Sequence, residues 1–146
     1  MPVIHKSPLP DVVIDDISIT DYVLRKADKL ADKAAFIDGG SGRVITFGEL
    51  KDQIRRFAGG LKERGFSTGS TLALVAPNIP EYAVVFHGCG VAGGTVTTVN
   101  PTYGPEEIRF QLLDASASIL VTIEAAMPIA LEAIEGTDVE EIIVTG

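Results

Sequence analysis

The chain has 146 residues, of which 46% are hydrophobic, and it carries a formal net charge of −8. This length suffices for one domain with a core and is short for two. The acidic balance argues against non-specific binding to nucleic acid or to an anionic membrane, because both require a basic surface.

The N-terminal segment, residues 1–18, contains three prolines and His5. Prolines at this density favour extended backbone, so we predict an arm that lies on a surface. Residues 19–146 are predicted to form one α/β unit. Its first helix is expected to be capped by Thr20 or Asp21 and to end near Leu30.

A β-hairpin is predicted next. The runs Ala34–Asp38 and Arg43–Thr46 flank a glycine-rich connection, which is typical of two strands joined by a turn. Thr46 and Glu49 then match a capping box, in which the hydroxyl accepts from the third amide and the carboxylate reaches back.

The capping box opens an amphipathic helix of about five turns, because its apolar residues recur at helical spacing. Gly65 is expected to end this helix. Gly59 and Gly60 lie inside it and lower its helix propensity, so we predict close packing of a neighbouring element there.

Four strand candidates follow at a regular spacing of 23 residues, beginning at Leu72, Thr95, Ser118 and Glu141. Helices are predicted between them at about 80–93, 105–115 and 124–135. The spacing fits a strand, a helix and two turns, and the units share no residue signature that would indicate a solenoid. We therefore predict an α/β fold, a doubly wound and mainly parallel sheet with flanking helices and an N-terminal β-hairpin.

The segment between Glu81 and Glu106 contains no charged residue. We expect the strand–helix–strand unit that contains it to lie at the centre of the fold. Residues 82–99 equal a membrane span in length, but their glycines and threonines favour a buried core, so no membrane span is predicted. The absence of a secretory signal and the lone Cys89 favour a reducing compartment, which we take to be the cytoplasm.

The segment Gly88–Gly93 matches the G-x-G-x-x-G pattern. A dinucleotide fingerprint must follow a strand and open a helix, so that pyrophosphate reaches free helix N–H groups. Here the glycines close a helix and precede a strand. The glycines are better explained as a small-residue helix face and a C-cap, which would let the helix lie close to the sheet.

No catalytic, cofactor-binding or metal-binding residue is assigned from the sequence. His87 is interpreted as a hydrogen-bonded packing residue and Cys89 as a small buried hydrophobe. Two adjacent acidic pairs, Asp15-Asp16 and Glu140-Glu141, point to opposite sides of an extended chain and do not form a metal clamp. The strand ends carry Pro77-Asn78 and Asn100-Pro101, which offer turn geometry but no acid, base or nucleophile.

Several segments resemble, in order and spacing, the N-terminal part of the adenylate-forming enzymes. Among these enzymes the chain is most similar to 4-coumarate–CoA ligases and related acyl-CoA synthetases and luciferases. The similar segments are Ser7–Asp11 for the leading arm, Thr46–Leu50 for the capping segment, Leu74–Glu81 for the P-N-x-x-E turn and Gly93–Glu106 for the N-P segment.

The resemblance implies part of the large N-terminal domain of an acid–CoA ligase, which uses ATP and Mg²⁺ to form an acyl-adenylate that coenzyme A then attacks. It also implies that the phosphate loop, the hinge and the small C-terminal domain with its catalytic lysine lie outside these 146 residues. The fragment alone is therefore expected to be inactive and to bind no cofactor, with the remainder of the parent chain as its partner. A mean hydropathy of +0.28 further predicts that the isolated chain self-associates.

Two alternatives remain open from the residues alone. One is a free-standing binding or regulatory module of flavodoxin or receiver type, although the turn after the first parallel strand lacks the phosphate loop or acidic cluster that these need. The other is a truncated, non-catalytic interaction partner. The acyl substrate, which could be aromatic, short-chain or a fatty carboxylate, is not determined.

Overall fold

The computed structural model describes residues 6–146. His5 lies outside the described residues. Residues 6–17 contain no helix or strand and are exposed. Helix α1 (Ile19–Leu24) is capped by Ser18, whose Oγ accepts from the Asp21 N–H at 3.0 Å.

The predicted capping by Thr20 or Asp21 and the predicted single helix to Leu30 are therefore wrong. Thr20 is buried and its hydroxyl lies 3.0 Å from His87 Nδ1, so it serves a tertiary contact. The helix is interrupted at Lys26, where φ is −108° and ψ is 0°, and a short 3₁₀ helix, Ala27–Leu30, follows.

The predicted β-hairpin is confirmed. Strands β1 (Ala34–Ile37) and β2 (Val44–Thr46) pair antiparallel. Asp38 organises the connection, because its Oδ1 accepts from the backbone N–H groups of Gly40 at 3.0 Å and Ser41 at 2.7 Å.

Helix α2 (Phe47–Glu63) begins with the predicted capping box. The Glu49 N–H donates to Thr46 Oγ1 at 3.2 Å, and the Thr46 N–H donates to Glu49 Oε2 at 2.8 Å. Both atoms satisfy helix N–H groups that would otherwise lack a partner. Leu50, Ile54, Phe57, Ala58 and Leu61 were predicted to form the apolar stripe of α2. Four of them are buried and Phe57 is partly buried.

The close packing predicted at Gly59 and Gly60 is wrong. A Cβ at Gly59 would meet no atom within 4 Å, and one at Gly60 would meet only the Arg64 guanidinium. An added Cβ at either glycine would therefore contact no neighbouring element, and the small residue at the helix–helix contact is Gly88.

Four parallel strands form the main sheet in the order β4-β3-β5-β6. Their bounds are Thr71–Val75 for β3, Thr95–Val99 for β4, Ala117–Thr122 for β5 and Glu141–Val144 for β6. The connecting helices are α3 (Pro80–Ala92), α4 (Pro105–Asp114) and α5 (Met127–Ala133), the last preceded by a 3₁₀ helix at Glu124–Ala126. The predicted strands begin within one residue of the observed ones, and the doubly wound fold is confirmed.

The sheet has a hydrophobic core on each face. One core joins α2 and α3 to the sheet and contains Leu61, Leu72 and Val121. The other lies under α4 and α5 and contains Val75, Ile108 and Leu120. Within residues 6–146, no helix combines the length and apolar composition needed to cross a bilayer.

The uncharged strand–helix–strand unit was predicted to lie at the centre of the fold, and only one of its two strands does. Strand β3 lies inside the sheet, but β4 is an edge strand in which Thr95 and Thr98 are exposed. Strand β4 lies at the edge because the chain returns through α4 to the other side of β3, where β5 pairs with β3. An uncharged composition does not distinguish an edge strand from a central one when helices cover both faces.

Candidate functional site

The carboxyl ends of β3 and β5 form the topological switch point of the sheet. These strands are neighbours, but the chain leaves β3 through α3 on one face and leaves β5 through α5 on the other. In open α/β sheets, ligands bind in the crevice between such diverging connections. This crevice is therefore the candidate ligand-binding site that the topology of the sheet indicates.

The β3 side of the crevice is a tight turn. Pro77 and Asn78 are exposed, and the Ile79 N–H donates back to the Pro77 carbonyl at 2.8 Å. Helix α3 begins at Pro80 and Ile79 offers no capping side chain. The predicted turn is confirmed, and it brings an amide side chain but no titratable group to the strand end.

The β5 side is closed by Thr122, a residue that sequence analysis did not single out. Its side chain is fully buried and Oγ1 donates to the Val75 carbonyl at 2.8 Å. The Thr145 N–H donates to the Thr122 carbonyl at 2.8 Å, which joins the ends of β5 and β6. A threonine directly after the apolar run Ile119–Val121, at the end of the strand, was the available signal.

Glu124 is the first residue after the β5 end that could act as an acid or base, and sequence analysis also missed it. It begins the 3₁₀ helix before α5 and is exposed. An exposed carboxylate at a helix start is an ordinary stabilising feature. It therefore provides no catalytic arrangement by itself.

The end of β4 contributes structure rather than chemistry. Asn100 Oδ1 accepts from both the Thr102 N–H at 3.0 Å and the Thr102 hydroxyl at 2.9 Å. This is an Asx turn, in which the side chain replaces a backbone acceptor. The amide oxygen is thus engaged in its own loop.

His87 and Cys89 lie on α3 away from the crevice. Burial lowers the pKa of His87, whose Nδ1 contacts Thr20. Cys89 is fully buried, its thiol donates to the Thr95 carbonyl at 3.3 Å, and burial raises its pKa to about 11. A protonated, inaccessible thiol is not a nucleophile. The packing roles predicted for His87 and Cys89 are therefore confirmed by the hydrogen bond of the one and the burial of the other.

The Gly88–Gly93 pattern is a packing and capping device. Gly93 has φ of +93° and ends α3, as predicted for a glycine C-cap. A Cβ at Gly88 would come within 2.7 Å of Phe57 Cδ1 and 3.2 Å of the Ile54 carbonyl oxygen. The close contact is therefore with α2, which corrects the expectation that the glycines let α3 approach the sheet.

The described residues include no group of three or more histidine, cysteine, aspartate or glutamate side chains placed to hold a metal ion. Asp15 and Asp16 are exposed in the arm. Glu141 forms an ion pair with Arg64, with 2.9 Å between Oε1 and Nε. The acidic pairs thus serve as surface charge.

Comparison with known proteins identifies the larger context of this fold. The sequence profile of a family described as AMP-binding enzyme matches residues 23–145. The chain is 38% identical over 123 residues to a 4-coumarate–CoA ligase of Pinus taeda, a match that covers 84% of the chain and 23% of that relative. It is 30% identical over 141 residues to a long-chain-fatty-acid–CoA ligase of Bacillus subtilis (strain 168), covering 97% and 24% respectively.

The crystal structure of a benzoate CoA ligase from Burkholderia xenovorans LB400 superimposes with a TM-score of 0.80 at 26% identity, over 86% of this chain and 25% of that one. The chain thus spans about a quarter of the length of the curated relatives it matches. The comparisons agree with the fold and show that the matched region is part of longer proteins.

Proposed function

The chain belongs to the AMP-binding enzyme family, and on this premise we propose that it is the N-terminal part of an ATP-dependent acid–CoA ligase. The parent enzyme would join a carboxylate to AMP with release of pyrophosphate, and coenzyme A would then displace AMP to give a thioester. The observation that carries this proposal is the family match over residues 23–145 together with 38% identity to a 4-coumarate–CoA ligase. ATP and Mg²⁺ would serve the first step.

The catalytic groups of the parent would come from outside these 146 residues. The switch-point crevice holds an amide, a buried hydroxyl and, just after the β5 end, the exposed carboxylate of Glu124. None of these can bind a triphosphate by charge, and the isolated carboxylate forms no catalytic arrangement. We assign no catalytic or cofactor-binding residue to this chain and expect the isolated chain to be inactive. A flavodoxin or receiver module is disfavoured by the same turn, Pro77-Asn78, and by the family match.

Two substrate classes fit the relatives. Aromatic acids are favoured by the 4-coumarate ligase, and fatty acids by the long-chain ligase, which would place the enzyme in fatty acid metabolism. We propose a cytoplasmic location, because both cosubstrates of the reaction are water-soluble and Cys89 is a free thiol.

Self-association of the isolated chain is also proposed. Large apolar side chains are exposed on α4, with Phe110 71% and Leu113 49% accessible. Such side chains in one patch favour association with protein. Sedimentation should show dimers or larger species at high concentration, and a single monomeric species would contradict this proposal.

The function is tested by expressing the complete reading frame of the gene beside the 146-residue chain. Pyrophosphate release is measured with ATP, Mg²⁺, coenzyme A and a panel that includes 4-coumarate, benzoate and long-chain fatty acids. Activity of the longer protein alone supports the proposal and identifies the acid. Activity of the 146-residue chain would overturn its assignment as a non-catalytic part.

A further inference from the structure

Helix α1 is held on α3 by a hydrogen bond between two side chains that are 67 residues apart in the sequence. Thr20 is buried, and its hydroxyl lies 3.0 Å from Nδ1 of His87. A Cβ on Gly90 would lie 3.7 Å from the same hydroxyl, so α1 lies directly on this part of α3. The other buried residue of α1 is Leu24, which shares a core with Val84 of α3.

Little else holds α1 in place. The helix has six residues, and helices this short do not persist without packing, because nucleation costs more than a few hydrogen bonds return. Its exposed apolar side chains are Ile19, Tyr22 and Val23. The helix is interrupted at Lys26, and the 3₁₀ helix that follows is anchored separately, by an ion pair between Asp28 and Lys51 of α2. Helix α1 can therefore leave α3 while the 3₁₀ helix stays in place.

The site around His87 favours the neutral imidazole. The Thr20 hydroxyl satisfies Nδ1 in either neutral tautomer, since a hydroxyl can donate or accept. The ring is half-buried and meets Phe86 edge to face, with 5.3 Å between the ring centroids. Burial disfavours a charge on the ring and lowers the pKa of His87. Among residues 6–146, no carboxylate forms an ion pair with His87 that would offset this cost.

The charged groups on α3 and on the elements packed against it are engaged elsewhere or exposed. On α1 the Asp21 carboxylate accepts from its capping hydroxyl at 2.8 Å, and the Arg25 guanidinium lies 3.8 Å from the centroid of an aromatic ring of the same helix. On α3 itself Glu81 forms an ion pair with Arg43. Strands β3 and β4 contain no charged residue. The charged residues of α2, all exposed except Lys51, are Glu49, Lys51, Asp52, Arg55, Arg56, Lys62 and Glu63.

We propose that residues 6–24 form a pH-sensitive latch, in which the contact between Thr20 and His87 holds α1 on α3 and protonation of His87 releases it. The closed latch is fully favoured above the pKa that His87 has in the open state, and it loses this advantage as the pH falls through the lower pKa of the closed state. Opening costs less free energy here than in the main core, because α1 buries only two side chains. The inference uses contacts within the described residues and does not depend on the proposed function.

The test is amide hydrogen exchange of Tyr22 at pH 7.5 and pH 5.5, expressed as protection relative to the intrinsic rate at each pH. The Tyr22 N–H donates to the Ser18 carbonyl at 2.9 Å, so it reports on α1. The Thr95 N–H, which donates to the Ser70 carbonyl at 2.9 Å, is the reference for the rest of the fold. We expect the protection of Tyr22 to fall by about threefold or more at the lower pH and that of Thr95 to stay unchanged.

Three variants identify the titrating group. His87→Gln keeps a side chain that can hydrogen-bond to Thr20 but does not titrate, so its Tyr22 protection should be the same at both pH values. His5→Gln is the matched control, because His5 is the other histidine of the chain, and it should keep the full loss. Thr20→Val leaves Nδ1 without its hydroxyl and should lower Tyr22 protection already at pH 7.5.

A second measurement needs no variant. NMR titration of the ring C–H signals of His87 should give a pKa below the ordinary histidine value, and a value at or above it would overturn the proposal. Equal Tyr22 protection at both pH values, or a loss that persists in His87→Gln, would also overturn it. A loss shared by Thr95 would show unfolding of the whole fold and would contradict a local latch.

Discussion

Phe57 of α2 lies directly against Gly88 of α3, and a Cβ on Gly88 would come within 2.7 Å of its ring. This distance is shorter than carbon–carbon contacts allow, so even one methyl group must displace a packed side chain. The contact joins the two helices that cover one face of the sheet.

Gly88→Ala is expected to lower the free energy of unfolding by about 1–3 kcal/mol, because the extra methyl group overpacks the helix–helix contact. Gly59→Ala is the control, since a Cβ there meets no atom within 4 Å and alanine favours a helix interior. It should raise the stability by about 0.5–1 kcal/mol. Urea denaturation measures both, and equal effects of the two variants would contradict the observed packing.

Thr122→Val should destabilise the fold by about 1–3 kcal/mol, because it leaves the buried Val75 carbonyl without its donor at the switch point. Thr122→Ser keeps the hydroxyl and should lower the free energy of unfolding by less than Thr122→Val does. The comparison is made by chemical denaturation. If valine is tolerated as well as serine, the hydrogen bond at 2.8 Å does not stabilise the crevice.

The contribution of the capping box to stability is expected to depend on pH, because it includes the carboxylate of Glu49. The hydrogen bonds from the Thr46 backbone and hydroxyl hold the pKa of Glu49 below its usual value. A depressed folded-state pKa means that its contribution is complete above the pKa of the unfolded chain and is lost as pH falls through the lower value.

The stability difference between the native chain and Glu49→Gln should therefore shrink on acidification, in thermal unfolding measured from neutral to acid pH. A difference that grows as the pH falls would contradict this assignment.

Cys89 is expected to resist thiol reagents in the folded chain at pH 8, because it is fully buried and its pKa is raised to about 11. Reaction with a disulfide reagent should be slow in buffer and rapid in denaturant. Rapid labelling of the folded chain would show that α3 opens readily or that the thiol is exposed.

Local signals allowed much of this fold to be predicted from the sequence. The capping box of Thr46 and Glu49 involves residues three apart, so its geometry is encoded within one helical turn. The regular spacing of apolar runs likewise indicated parallel strands joined by helices.

Features that depend on distant residues could not be predicted in this way. The position of β4 at the edge depends on β5 pairing with β3, and the contact of Gly88 with Phe57 depends on how two helices cross. Glu81 appeared in the sequence only as part of a turn. In the structure its Oε1 forms an ion pair with Arg43 of the hairpin, and its Oε2 is buried without a hydrogen-bond partner among residues 6–146.

A chimera in which this chain replaces the matching segment of the Pinus taeda 4-coumarate–CoA ligase tests the central claim most directly. The measurement is 4-coumarate-dependent pyrophosphate release with ATP, Mg²⁺ and coenzyme A. The claim that this chain is the N-terminal part of an acid–CoA ligase predicts an active chimera and an inactive isolated chain. A folded chimera without activity towards any acid of the panel, or turnover by the isolated chain, would contradict it.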